Sequence, residues 1–188
     1  MGKVNADISM SLDGYVAGPD PDLEQPLGVG GEGLHEWAFG AQSWRQTHGR
    51  EGGEPNADSD VIAEGVNATG AVVMGRRMFS GGSGPWEPDP RASGWWGDDP
   101  PFHTPVFVLT HHEREPLPME GGTTFNFVTD GIESAVEQAR AAAGEKDVLI
   151  AGGATAVQQA IAADVGLEIT RVVDSPTVTH VRYRVVRS

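Results

Sequence analysis

Two apolar runs of this chain each break at glycine and continue directly as helical pattern, and no other feature limits its folding so strongly. One is Ala71-Val72-Val73-Met74-Gly75-Arg76-Arg77-Met78-Phe79, the other Val148-Leu149-Ile150-Ala151-Gly152-Gly153-Ala154-Thr155. A strand that runs into a helix in this way leaves the first helical N–H groups free at the positive end of the dipole, which makes an anion site. Two such junctions in one small chain, one of them carrying paired arginines, point to a ligand with several phosphates. A dinucleotide cofactor fits that description best.

The remaining segments fill in an alternation of strands and helices. Residues 3–11 alternate, with Val4, Ala6, Ile8 and Met10 on one face of a predicted strand. Asp13-Gly14 supplies a turn, and the Gly/Pro/acidic stretch 18–33 is long enough to be a lid or a mobile loop. Helices are predicted over 34–44, with Leu34, Trp37, Ala38 and Ala41 on one stripe, and over 60–66, separated by a polar loop at 48–56. After the first junction, Met78-Phe79 starts a helical turn that fails at Gly81-Gly82, and residues 83–104 form a loop holding Trp86, Trp95, Trp96 and Phe102. Strands are predicted at 105–110, 123–128 and 148–151, and helices at 131–143 and 154–163. Segments 167–174 and 178–186 close the chain as a hairpin across Ser175-Pro176-Thr177. The whole reads as one α/β domain with helices on both faces of a sheet.

Composition narrows the partners. A formal net charge of −14 argues against nucleic acid or an anionic membrane surface, since either needs clustered cations. No cysteine is present, so thiolate catalysis, disulfides and cysteine-ligated zinc are excluded. No apolar run is long enough to span a bilayer, and a cytoplasmic location is expected.

Chemistry concentrates at four places. Gly75 lets a ligand approach the backbone, while Arg76 and Arg77 can fork onto phosphate oxygens or simply be solvated arginines at a helix start. The Gly152-Gly153 turn lacks the spacing of a Rossmann fingerprint; it either cradles a pyrophosphate or lets strand and helix pack closely. Thr110, His111 and His112 follow a buried strand, where α/β sheets usually meet ligands. Neighbouring histidines on an extended chain point to opposite sides, so no metal site is expected there, and His35, His48, His103 and His180 read as surface or loop residues. Asp13, Glu32 and Glu36 are the candidate proton donors, with the bland alternative of a turn aspartate and two solvated glutamates. The tryptophans either wall a ring pocket or anchor the loop.

Taken in order, Ser11-Leu12-Asp13-Gly14-Tyr15-Val16-Ala17-Gly18, Val73-Met74-Gly75-Arg76-Arg77-Met78-Phe79, Pro105-Val106-Phe107-Val108-Leu109-Thr110-His111 and Ala151-Gly152-Gly153-Ala154 resemble the dihydrofolate reductase superfamily. The match is to the branch that looks like the reductase domain of bacterial riboflavin biosynthesis. That resemblance implies a mixed, mostly parallel sheet with helices on both faces and a C-terminal β-hairpin. It implies NADPH, with Ser9, Val16 and Ala17 at the nicotinamide, Arg76, the arginine after Gly75, at the adenosine 2′-phosphate, and Arg77 and Met78 at the other phosphates. Thr110 and His111 match the adenosine end, and Gly152, Gly153, Ala154, Thr155 and Ala156 the pyrophosphate turn. The implied activity is hydride transfer to a C=N or C=O carbon of a small molecule, a riboflavin-pathway 5-amino-6-(ribosylamino)uracil-type pyrimidine leading, in a homodimer, with Asp13 or water supplying the proton.

Two departures separate the chain from that pattern. Folate-reducing members have a carboxylate three residues before a tryptophan on the first helix; matched to Trp37, the position is Leu34, and Glu36 lies about 200° round the helix from it. The family also carries a strand and a loop after the Gly-Gly helix, whereas here Asp164 runs directly into Val165. A non-catalytic nucleotide-binding module and a deazaflavin-dependent reductase are the competing readings.

Overall fold

Strand residues two apart land on the same side of a sheet, and the apolar runs of this chain sort by that rule into two layers. The structure, a computed structural model, describes residues 2–22, 24–82, 84–86, 94, 96–161 and 165–187. Expectations placed on Trp95, on residues 162–163 of the helix predicted over 154–163 and on Asp164 fall outside those residues. The strands are β1 (Val4–Ala6), β2 (Thr69–Gly75), β3 (Pro105–Leu109), β4 (Leu117–Pro118), β5 (Thr124–Val128), β6 (Asp147–Gly152), β7 (Val165–Asp174) and β8 (Thr179–Arg187). Among the described residues the first six form one sheet in the order β1-β6-β2-β3-β5-β4, parallel except for β4. The helices are α1 (Glu36–Phe39), α2 (Gln42–Thr47), α3 (Ala57–Ala68), α4 (Arg76–Ser80), α5 (Ile132–Ala143) and α6 (Ala154–Ile161).

Ala71, Val73, Phe107, Val148 and Ile150 point to one face, where Ala135, Ala139 and Ala143 of α5 and Ala156 and Val157 of α6 seal them. The alanine stripe lets α5 lie close on the sheet. Val72, Met74, Val106, Val108 and Phe125 point to the other face, under Phe79 of α4 and the aromatic loop with Trp86, Trp96 and Phe102. Phe79 meets Phe125, Phe127 and Trp86 edge-to-face at centroid distances of 4.9, 5.3 and 6.0 Å, a geometry that aromatic quadrupoles favour.

Several elements differ from the sequence reading for local reasons. The strand predicted over 3–11 stops at Ala6, and Ile8 and Met10 are exposed, because β1 pairs with β6 alone and nothing described covers its outer side. The helix predicted over 34–44 is a 3-10 turn (Gly31–Leu34) followed by α1 and α2. Gly40 and Ala41 interrupt it, Ala41 in extended conformation, with Glu54 bonding to both Gly40 and Gln42. Conversely α3 is longer than 60–66, because the Asn56 side chain accepts from the Ser59 N–H and caps the helix earlier. The two-residue β4 carries no periodicity that a sequence reading can catch.

The hairpin β7–β8 forms a sheet of its own. It is fastened to α3 through polar side chains. Arg171 and Arg182 both bond the Glu64 carboxylate, and His180 Nε2 donates to Asp58 Oδ1 at 2.7 Å. Trp37 closes the contact with its ring edge on His180, 4.9 Å between centroids. Bonds from Arg182 and Arg171 hold the Glu64 carboxyl below the usual carboxylate range. Its share of stability is therefore complete above the unfolded carboxylate pKa and is lost as pH falls through the lower folded value. In Glu64→Gln the loss at neutral pH is expected to be about 0.5 kcal/mol, typical of exposed pairs. The gap to the native chain should close on acidification; urea titrations across pH 3–7 check it, and a gap that widens toward low pH contradicts the arrangement.

Candidate functional site

In parallel sheets ligands gather at the carboxyl ends of the strands, and register brings four such ends of this chain to one edge. Met74 is the Cα partner of Gly152, Gly75 of Leu109 and Ala6 of Ile150. The two glycine junctions and the exits of β1 and β3 thus share a single rim.

At its centre the junctions touch. A Cβ built on Gly75 would lie 3.7 Å from Gly153 N, 3.8 Å from Gly152 O and 4.0 Å from Ala156 Cβ, and one built on Gly152 would lie 3.5 Å from Met78 Sδ. Gly152 has φ +128°, a conformation that side chains rarely adopt, and the Gly152–Gly153 peptide is cis. Gly153 and Thr155 are exposed and nothing lies within 4 Å of a Cβ built on Gly153, so the start of α6 faces outward beside Gly75, with the Ala156 N–H turned back onto Gly153 O at 3.0 Å. Gly75, Met78, Gly152, Gly153, Ala154, Thr155 and Ala156 therefore form one cluster.

The paired arginines part company. Arg77 is exposed, whereas Arg76 is only 6% exposed, its guanidinium 3.9 Å from the centroid of the Trp86 ring. Arg114 lies 4.9 Å from the same ring, and Trp86 Nε1 donates to the His112 carbonyl at 2.9 Å. Trp86 thus anchors its loop between two guanidinium groups, and the position of Arg76 follows from that stack. Thr110 is buried, its N–H bonded to Val128 O and its hydroxyl accepting from the His112 N–H, while His111 is exposed. Thr110 shapes the chain after β3 and leaves His111 at the rim.

The segment after β1 makes a second concavity of about 500 Å³, lined by Ser11, Asp13, Tyr15, Ala17, Gly18 and Pro19. Asp13 is exposed there and accepts a 2.6 Å bond from the Ser11 hydroxyl, whose oxygen also accepts from the Tyr15 N–H. Val16 is half-buried alongside. Ser9 is tied elsewhere: the Trp37 indole N–H donates to its Oγ at 3.3 Å and to Leu34 O at 3.0 Å. Glu32 and Glu36, the other candidate carboxylates, are exposed and do not line this concavity.

A polar cluster that the sequence reading missed joins this region to the hairpin. His180, expected on the surface, has a side chain 15% exposed and pairs with Asp58, 4% exposed. Partial removal from water raises the Asp7 carboxyl above its ordinary range, against the pull of Arg182 and His180. Asp58 lies in the first turn of α3, the helix that leads into β2. The signal available in the sequence was Asn56-Ala57-Asp58, a cap followed by acids in a first helical turn. Burial lowers the His35 and His48 imidazoles. Among the described residues no group of three or more His, Asp or Glu is placed to hold a metal ion.

A mostly parallel sheet with both glycine junctions at one rim, helices on either face and an antiparallel C-terminal hairpin defines a dihydrofolate-reductase-like α/β domain. Residues 2–176 match the model of the RibD C-terminal domain, and the chain belongs to that family, which comprises the reductase domains of riboflavin biosynthesis deaminase-reductases. None of the curated proteins matches the chain. An oxidoreductase role follows in general terms from the family. No helix of the described residues is long and apolar enough to cross a membrane.

The glycines give the sharpest local expectation. Gly152→Ala forces a side chain onto a positive φ and is expected to cost about 1–2 kcal/mol, whereas Gly75→Ala meets only ordinary contacts and should cost less. Thermal unfolding of both variants ranks them; equal losses would contradict the described rim.

Proposed function

We propose that this protein is an NADPH-dependent reductase acting on a C=N or C=O carbon of a small molecule, with a riboflavin-pathway pyrimidine as the leading substrate. The observation that carries the reading is the contact of Gly75 with the Gly152–Gly153 turn beside an exposed helix start. Glycine at both junctions lets a ligand with several phosphates approach the backbone there, beside the N–H groups at the head of α6.

Bound NADPH would supply the hydride; the hard chemistry is the cofactor's. The chain's residues would hold and orient it. Gly152, Gly153, Ala154 and Thr155 would take the pyrophosphate with backbone donors at the head of α6, Ala156 would close the turn through its N–H to Gly153 O, and Met78 would bound it. Arg77 would neutralise phosphate from the surface, and Arg76 would keep the neighbouring wall in place through Trp86. Thr110 and His111 would border the adenosine end. Ser9, Val16 and Ala17 would set the ring's position, Ser9 being oriented by Trp37. Asp13, held by the Ser11 hydroxyl in the open concavity, would present its carboxyl group to a substrate there as the candidate for proton transfer.

Titration with NADPH, NADH and a deazaflavin, followed by tryptophan fluorescence, tests the reading. NADPH is expected to bind more tightly than NADH, and Arg77→Ala to weaken it about tenfold, the value of one charge-assisted contact. Arg76→Ala should instead lower unfolding stability by about 1 kcal/mol through the lost stack on Trp86. Asp13→Asn should lower turnover and leave NADPH affinity unchanged. Absence of NADPH binding in the native chain would end the proposal.

A further inference from the structure

Which polar atoms a wall still turns outward decides whether its ligand must bring hydrogen-bond donors or acceptors. In the concavity after β1 the outward atoms are mainly acceptors. The one proton of the Ser11 hydroxyl goes to Asp13 Oδ1 at 2.6 Å, while its oxygen accepts from the Tyr15 N–H at 2.9 Å. Of the lining residues, Ser11, Tyr15 and Gly18 use their N–H groups on Tyr15 O, Ser11 Oγ and Leu27 O, and Pro19 has none. Asp13 in its ionised form adds acceptors alone, and the Tyr15 hydroxyl can play either part. The surroundings carry the same sign: between Lys3 and Arg45 the chain has seven acids and neither Lys nor Arg. Burial holds the His35 imidazole toward its neutral form. Arg171 and Arg182 of the hairpin are bonded to Glu64, and Arg184 to Glu168. The other side of the concavity is apolar, formed by Tyr15, Ala17 and Pro19. Exposed Leu12 and Val29 extend it, Val29 through the bond of its N–H to Pro19 O.

We propose that this concavity takes a small flat compound, neutral or cationic, that brings N–H donors to Asp13 and lays an apolar edge on Tyr15, and that it turns away phosphorylated and carboxylated compounds. The inference rests on the reductase reading, with the concavity as its substrate side, and narrows the substrate there. A volume of about 500 Å³ suits a single ring with short substituents. A pyrimidine enters as a neutral ring carrying N–H groups; the same ring bearing a phosphate meets acceptors and like charge. A cation gains twice, from the Asp13 carboxylate and from the face of the exposed Tyr15 ring. The surrounding carboxylates raise the local level of cations and lower that of anions. The molecule thus separates two tasks: phosphates belong at the glycine rim beside exposed Arg77, and an uncharged or positive ring belongs at Asp13.

NMR titration of the ¹⁵N-labelled full chain at neutral pH, without NADPH, tests this with benzylamine, benzyl alcohol and phenyl phosphate, which share a ring and differ in charge. Signals of residues 11–19 are expected to shift most. Benzylamine should bind about fivefold more tightly than benzyl alcohol at low ionic strength, as one exposed charge pair allows, and phenyl phosphate most weakly. Added salt should narrow the gap in the native chain, a measurement that needs no variant. Asp13→Asn should bring benzylamine down to benzyl alcohol. Phenyl phosphate binding as tightly as benzyl alcohol, a benzylamine preference that survives Asp13→Asn, or no shift at residues 11–19 with any probe would overturn the proposal. Because NADPH is absent throughout, its own titration decides the reductase reading separately. A chain that binds NADPH and prefers phenyl phosphate refutes this inference alone; one that prefers benzylamine and ignores NADPH refutes that reading and keeps the ligand class of the concavity.

Discussion

The parallel pairing of β2 with β3 and β6 is the constraint on which the rest depends. Its register brings Gly75 and the Gly152–Gly153 turn together, with Gly152 at φ +128° where side chains are rarely tolerated. Everything at the rim inherits its place from that contact: α4 and α6 start there, Thr110 leaves the next strand one residue beyond it, and the chain after β1 crosses alongside. A ladder hydrogen bond contributes little singly. Here the ladder's function is positional, since a slip by one residue would turn every side chain to the other face and separate the glycines.

On the opposite layer an aromatic cluster plays the corresponding part. Trp86 is held by its indole bond to His112 O and lies against the guanidinium groups of Arg76 and Arg114. Burying an arginine in this way is tolerable because the guanidinium is weakly hydrated and planar, so an aromatic face recovers part of what water supplied. The loop that follows α4 is thereby fixed to the start of α4 and to the chain that leaves β3, and the rim gains a firm wall.

The sheet was legible in the sequence because buried parallel strands are continuous apolar runs bounded by glycine or proline, as in Val72-Val73-Met74 and Val106-Phe107-Val108. The glycine junctions were legible for the same reason, and the structure brings them together. Three things were not. The split of 34–44 into α1 and α2 depends on a bridge from Ala41 to Glu54, a contact that leaves no periodic trace. The divergence of Arg76 and Arg77 depends on where Trp86 settles, ten residues further along. His180 and Asp58 lie 122 residues apart, and no local pattern announces their pairing. Local chemistry was readable; side-chain partners made through the tertiary fold were not.

The first strand carries a further consequence. Val148 N–H bonds to Lys3 O, and the Asp147 carboxylate accepts from the Lys3 N–H and the Asn5 side-chain amide, across 144 and 142 residues of chain. Closing so long a loop for a three-residue strand is entropically the least favourable step in the sheet, so it follows the nearer pairing of β2 with β3 and of β3 with β5. Asp13 and the rest of the concavity ride on that strand. The glycine rim therefore assembles before the concavity that follows β1, and a chain caught short of the last step would be a folded scaffold with that concavity unfinished.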